Sequence, residues 1–304
     1  MSNDRKGAVI GLDIGFGDVK CASRQNGGWS LHKFPTAVKY APEGAGECLD
    51  QMAVQDEILF QGRKYLVGES ARSRAFDSRR KNFLFDFGPI FAWKAVRDIS
   101  NNGRSDITDI GAGLPLTWWK TGREIMAARL KRILVGDREL SFNVAIWPQG
   151  YGCLCDYRLD DNGQKTDGTA GDILLLDIGY NTIDIVNIKN GNIQKDGSDT
   201  MEKEGISRIT EELIQTMRRE HPEMRLSPVE ASTVLQSNEC WIYNKKVDCS
   251  AIVRSVLSQY VDRFWGEIEA NHEERIQRAE LIILAGGGAH YLRDYVPDRY
   301  EHMI

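Results

Sequence analysis

The sequence predicts an α/β protein built from two related halves. Three observations carry that prediction. AVIGLDIGFGDVKCAS near the N-terminus and DILLLDIGYNTIDIVNI much later each run from an apolar stretch into Asp-Ile-Gly plus an aromatic, then return to alternating apolar residues. Asp13, Ile14 and Gly15 map onto Asp177, Ile178 and Gly179 at a constant offset, the mark of a repeated supersecondary unit. Strand-like and helix-like blocks alternate along the rest of the chain rather than segregating.

Residues 8–13 and 19–23 read as strands joined by a glycine turn, and 27–29 as the close of a further hairpin. The stretch to about residue 82 is less regular, with a short hairpin around Gly62. Its basic run SARSRAFDSRRK reads as a solvated loop, with a docking surface as the alternative. A helix is predicted over 89–99, opening at Pro89, and DITDIGAGLPL reads as a strand ending at Gly113. The next helix, 121–134, is predicted to bury Ile125, Ala128, Leu130 and Ile133. LSFNVAIW is a strand stopped by Pro148-Gln149-Gly150. The polar, turn-rich stretch 156–171 is the natural boundary between halves.

In the second half, 173–177 and 183–188 repeat the strand–turn–strand. A helix over 203–219 carries Ile206, Ile209, Leu213 and Met217 at helical spacing, and another over 252–268 carries Ile252, Val256, Tyr260 and Phe264. Residues 281–284 form a short buried strand ended by Ala285-Gly286-Gly287-Gly288.

A chain of 304 residues, 41% hydrophobic and 27% charged, is long enough for two ordinary domains. A net charge of −5 advertises neither nucleic acid nor an anionic membrane as partner. No apolar run approaches the roughly 20 residues of a membrane span, and the polar start MSNDRKG is no signal peptide. The six cysteines are scattered without a CxxC pair, which points to a reducing cytoplasm. Cys153 and Cys155 read as half-buried free thiols, with a metal or redox pair as the alternative.

Each repeat sets a carboxylate at the end of a buried strand and follows it at once with glycine. A turn without Cβ lets backbone N–H groups approach phosphate oxygens closely. Asp13 and Asp177 cannot touch phosphate themselves, but each can hold hydrated Mg²⁺ that bridges to it. Two such turns facing each other would clamp a polyphosphate, with Lys20 neutralising charge and Thr182 donating a hydroxyl hydrogen bond. A lone DxG turn is common and means little. Two matched copies with a third glycine cluster at a strand end favour a nucleotide.

These residues resemble the actin–chaperone–hexokinase superfamily of ATPases, and within it the bacterial and archaeal actin-like proteins of the plasmid-partition ParM type. Asp13-Ile-Gly-Phe-Gly with Lys20 resembles the first phosphate motif, Asp177-Ile-Gly-Tyr-Asn-Thr-Ile-Asp184 the second, and Ala285-Gly-Gly-Gly-Ala289 the adenosine motif. Pro148-Gln149-Gly150 falls where the family keeps a Glu or Gln that positions the attacking water; Gly113-Leu-Pro115 and YLVGESA, residues 65–71, are also ParM-like. The resemblance implies a duplicated ribonuclease-H-like fold, two domains flanking a nucleotide cleft. The first would span 1–168, with a variable insertion about 34–88, the second 169–288, and 289–304 would return toward the first.

It further implies a filament-forming, cytoplasmic ATPase (GTP being possible in place of ATP) that uses Mg²⁺ and segregates DNA through an adaptor, touching neither nucleic acid nor membrane itself. Catalysis would fall to Gln149, Asp177 and Asp13, with the metal held by both aspartates through water. The nucleotide would lie against Gly15, Phe16, Gly17, Lys20, Gly179, Tyr180, Asn181, Thr182, Glu204, Gly205, Gly286, Gly287 and Gly288. Phe16 stands where actins often have a hydroxyl, so any contact there is expected from its backbone N–H. Sixteen residues follow Gly288, and the family's C-terminal helix is expected to be absent from them. Stacked subunits of like net charge repel, so moderate salt is expected to help assembly. A superfamily small-molecule kinase, using a carboxylate base from 156–172, and a non-hydrolysing scaffold remain the alternatives; a chaperone would need a substrate-binding domain after the third glycine motif.

Overall fold

The computed structural model describes residues 7–25, 28–42, 56–80, 82–100, 107–166, 171–194, 196–297, 300 and 303–304. Gly27, Cys48, Lys81 and residues 167–170, which entered the predictions above, lie outside this set. The chain divides into two units, Met1–Gln149 and Gly150–Ile304.

The first unit opens with β1 (Ala8–Ile14), β2 (Asp18–Gln25) and β3 (Gly28–Pro35), followed by β4 (Val38–Tyr40), β5 (Glu57–Phe60) and β6 (Arg63–Val67). Then come α1 (Phe83–Ile99), β7 (Ile107–Leu114), α2 (Leu116–Lys131), β8 (Arg132–Val135), β9 (Arg138–Ser141) and β10 (Asn143–Pro148). The main sheet has the order β10-β7-β1-β2-β3. The β1–β2–β3 meander is antiparallel, whereas β7 and β10 join in parallel, each after a helical crossover or a longer excursion. The supposedly less regular stretch before residue 82 is in fact built into a second sheet, β4-β6-β5-β8-β9, because β5 finds a partner in β8 far along the chain, which in turn pairs with β9. Buried Lys94 ties this sheet to α1: its ammonium lies 2.6 Å from Asp56 and 3.0 Å from Asp98.

Helix α1 begins at Phe83, six residues before the expected start at Pro89, and runs through the proline. Proline lacks the N–H that would bond the carbonyl four residues back. That carbonyl, Phe85 O, instead accepts from Arg129 Nη1 of α2 at 2.6 Å. Burial of Phe83, Leu84, Phe87, Ile90 and Phe91 outweighs the missing bond and keeps the helix continuous. Arg129→Met is expected to destabilise the unit by about 1 kcal/mol, the net worth of such a bond at a half-exposed site. An unchanged urea midpoint would mean that water satisfies Phe85 O equally well.

The predicted face of α2 needs correction. Ile125 is 53% exposed and Ala128 also faces solvent, while Leu116, Met126 and Leu130 are buried. Ile133 does enter the core, but from β8, because the helix ends at Lys131.

The second unit starts with α3 (Tyr151–Arg158), then β11 (Asp172–Ile178), β12 (Thr182–Lys189), β13 (Asn192–Ile193) and β14 (Asp199–Glu202). It continues with α4 (Ile206–Glu220), α5 (Pro228–Ser237), β15 (Glu239–Ile242), β16 (Lys245–Asp248), α6 (Ser250–Arg278), β17 (Leu281–Ala285) and α7 (Ala289–Leu292). Its sheet, β13-β12-β11-β17 with β14 also on β12, repeats the first: an antiparallel β11–β12 pair with β17 parallel to β11. This is the duplicated ribonuclease-H-like fold. The polar stretch 156–171 lies inside the second unit, since α3 ahead of it packs Leu154 against Ile173, Leu175, Val186 and Ile188. Ile206, Ile209, Leu213 and Met217 of α4, and Val256, Tyr260 and Phe264 of α6, face one core as their spacing predicts.

Candidate nucleotide site

The two Asp-Ile-Gly turns close in the same way. Gly15 N–H donates to Asp18 O at 3.1 Å, and Gly179 N–H donates to Thr182 O at 2.9 Å. Asp13 pairs across the ladder with Lys20, and Asp177 with Asp184, so the repeat holds at residue level. Their parallel neighbours match too: Asp13 lies beside Gly113, and Asp177 beside Ala285.

In the first unit the structure brings together Asp13, Lys20 and Gln149. Lys20 Nζ lies 3.1 Å from Asp13 Oδ2, and Gln149 Nε2 donates to Asp13 Oδ1 at 2.8 Å. A carboxylate accepts only from the amide nitrogen, which leaves Gln149 Oε1 as the acceptor directed away from Asp13. Gln149 sits just beyond β10, its N–H bonded to Leu114 O at 2.6 Å. A Cβ on Gly113 would come within 3.1 Å of Gln149 Cγ, so the glycine leaves room for the side chain. Phe16 is buried, with its ring edge-on to Trp118 of α2 at 5.5 Å. The aromatic therefore anchors the turn and leaves only its backbone for a ligand. Thr36, which carries no motif signature, fixes the turn from β3's far end: its hydroxyl donates to Gly15 O at 2.6 Å and its N–H to Gly17 O at 2.9 Å.

In the second unit, three separate stretches converge. The first two N–H groups of α4, Ile206 and Ser207, bond Gly179 O at 3.1 Å and Tyr180 O at 2.7 Å. The helix N-terminus is thereby seated on the second turn, where its dipole favours an anion. A Cβ on Gly205 would overlap the Gly179 and Tyr180 carbonyls. Gly288 N–H bonds Ile178 O at 2.8 Å, and Gly286, at φ +82°, approaches Asp177 so closely that a Cβ would lie 2.5 Å from its Oδ1. Gly287 is exposed, with no atom within 4 Å of its would-be Cβ. Tyr260 of α6 steadies the chain just before α4 by donating its hydroxyl to Glu204 O at 2.6 Å; burial, with the Glu204 charge second, raises the phenol and keeps it a donor. Thr182 and Asn181 are buried, and Asn181 Oδ1 has no hydrogen-bond partner.

Cys153 and Cys155 sit two residues apart on α3, a spacing that turns their side chains to different faces. Neither is in a disulfide, and burial raises the Cys155 thiol. Among the described residues no group of three or more His, Cys, Asp or Glu could cage a metal ion.

Residues 11–152 match the family model described as the N-terminal domain of actin-like proteins, and residues 175–298 match the C-terminal model of the archaeal MreB-like actin homologue. The chain is an actin-like protein. Among solved structures it is similar to ParM in a 15-stranded filament from Clostridium botulinum, with a TM-score of 0.77 and 18% identity over 98% of this chain and 94% of that one. It is likewise similar to Ta0583, an archaeal actin homologue, at TM-score 0.74 and 19% identity over 98% and 93% of the two chains. Ta0583 in complex with ADP matches at TM-score 0.71 and 16% identity, over 97% and 92%. These likenesses give the actin-like protein its fold. No curated protein sequence matches it. Among its described residues no helix is long and apolar enough to cross a membrane.

Proposed function

We propose that this actin-like protein binds ATP or GTP with Mg²⁺, hydrolyses it, and assembles with copies of itself into filaments. The observation that carries the reading is the second unit's cradle at the N-terminus of α4, where a Cβ on Gly205 would overlap Gly179 O and one on Gly286 would lie 2.5 Å from Ile178 O, so that only glycine fits beside the turn. The first N–H groups of α4 are taken up by the carbonyls of the turn, so what such a site offers phosphate is the positive end of the helix dipole and close approach to a turn free of side chains. The buried Asn181 amide with an unpartnered oxygen adds a polar group that a ligand could satisfy. The ADP complex of Ta0583 and the filament of the ParM relative support the nucleotide and the assembly.

In this reading the backbone of Gly15, Phe16 and Gly17 and the Lys20 ammonium meet phosphate from the first unit. Gly179, Tyr180, Asn181 and Thr182 meet it from the second, while Glu204, Gly205 and Gly286 to Gly288 hold the nucleoside end. Asp13 and Asp177 hold the metal through water, since Mg²⁺ usually keeps several waters and takes one or two carboxylates. Bound Mg²⁺ would supply charge neutralisation at the phosphate oxygens. Gln149, held by Asp13, orients the attacking water through Oε1. The cellular role we assign is DNA segregation in the cytoplasm, with an adaptor protein linking filament to cargo.

Charge shapes the expected assembly. The first unit carries 22 Lys and Arg against 17 Asp and Glu, and the second 17 against 27. Stacking the basic unit of one copy on the acidic unit of the next is attractive, which reverses the salt effect expected from the uniform net charge of −5. Sedimentable polymer is expected above a critical concentration with Mg-ATP or Mg-GTP, and it should decrease as salt rises past the point where screening reaches about 8 Å. Monomer under every nucleotide and protein concentration would end the filament reading. Polymer that increases with salt would end only the charge-stacking part.

A further inference from the structure

The β15–β16 hairpin of the second unit contains two thiols that the nucleotide reading does not use. Cys240 lies on β15, and Cys249 stands between β16 and α6. Both are buried, 5% and 1% exposed, and the Cys249 thiol donates to Cys240 Sγ at 3.2 Å. That separation is little more than 1 Å beyond a disulfide bond of about 2.0 Å. The backbone holds the approach: Cys249 N–H bonds Asn238 O at 2.7 Å, just before β15 begins, and Cys249 O accepts the first bond of α6 from Val253 at 2.9 Å.

We propose that Cys240 and Cys249 are a redox modification site, closing reversibly to a disulfide that ties the hairpin to the start of α6, with a low-molecular-weight disulfide as oxidant. One cysteine thiolate attacks a sulfur of the oxidant, forming a mixed disulfide and releasing one small thiol. The second thiolate attacks the protein sulfur of that mixed disulfide, forming the Cys240–Cys249 bond and releasing the other small thiol. Two protein thiols have lost two protons and two electrons, and the oxidant has been reduced to two thiols.

Access comes from the hairpin. Among the described residues β15 and β16 pair only with each other, and a ribbon of four residues a side is the kind of element that opens locally. Its outer side already meets solvent through Trp241 and Tyr243, 69% and 83% exposed. In the closed hairpin, burial pushes the Cys249 thiol up to about 12, so reaction proceeds through the opened form and its rate follows opening. Once one thiol carries the oxidant, reclosure returns the other to it.

The test incubates the reduced full chain with oxidised glutathione, blocks remaining thiols with iodoacetamide and digests with trypsin. A linked pair of peptides 226–245 and 247–254 is expected to dominate over every other cysteine pairing. It should revert with dithiothreitol, and low urea should speed its formation. Cys240→Ser and Cys249→Ser should each lose that pair and leave the partner thiol free or glutathionylated. The disulfide-closed chain should melt a few degrees higher than the reduced one. Absence of the linked pair, or a yield no greater than that of pairings with Cys153 and Cys155, overturns the proposal. Neither result bears on nucleotide binding.

Discussion

Replacing Gln149 with alanine is expected to slow phosphate release by about 10²-fold or more while nucleotide affinity stays near wild type. That is the usual scale for losing one group that positions or stabilises the reacting atoms. An amide has no useful proton affinity, so the effect must come from orientation. The structure supplies the means, because Gln149 Nε2 is fixed on Asp13 and its N–H on Leu114 O. Filaments of the variant should persist longer, since hydrolysis would no longer mark old subunits. Glutamate at 149 is not a neutral replacement here. It would put a second carboxylate at hydrogen-bond distance from Asp13, and two like charges so close cannot both ionise comfortably. Single-turnover phosphate release with equilibrium nucleotide titration separates the two quantities. Unchanged release in Gln149→Ala would move the catalytic role elsewhere, with the carboxylates of 156–172 next to be tried.

Gly286→Ala is expected to destabilise the second unit by about 2–5 kcal/mol and to remove nucleotide binding. Two effects add. At φ +82° an L-residue costs about 1–2 kcal/mol, and a Cβ would sit 2.5 Å from both Asp177 Oδ1 and Ile178 O, of which the carbonyl belongs to a buried strand. Either the turn carrying Asp177 shifts or β17 does. Gly287→Ala is the matched control. It meets nothing within 4 Å and has no positive φ, so its urea midpoint should stay within about 0.5 kcal/mol of wild type. If the nucleoside lies against this cluster, Gly287→Ala should still weaken nucleotide binding. Normal affinity in a stable Gly287→Ala protein would place the nucleoside away from the glycine run, whatever Gly286→Ala does.

Local chemistry made much of this protein legible. Alternating apolar residues broken by Asp-Ile-Gly declared both strand–turn–strand units, and each turn closes through the same Gly N–H to carbonyl bond. The stripe on α4 was equally plain, because Ile206, Ile209, Leu213 and Met217 all meet one core. The sequence was ambiguous wherever two elements adjoin without punctuation. At α2 the apolar residues 125, 128, 130 and 133 suggested one face, but the chain leaves the helix at Lys131, so Ile133 is buried from a strand and Ile125 is left in water. Pro89 looked like a helix start, but burial of its neighbours carries the helix through it, and Arg129, forty residues away, bonds the carbonyl that the proline leaves unpaired. The first Asp-Ile-Gly turn depends in the same way on Thr36 and on Gln149, separated from Asp13 by 136 residues. Short-range pattern determines strands, turns and stripes because their hydrogen bonds and apolar spacing are local. The pairing of Gln149 with Asp13, the seat of α4 on Gly179 and the approach of Cys240 to Cys249 were decided only by packing, which brings together atoms that no sequence spacing relates.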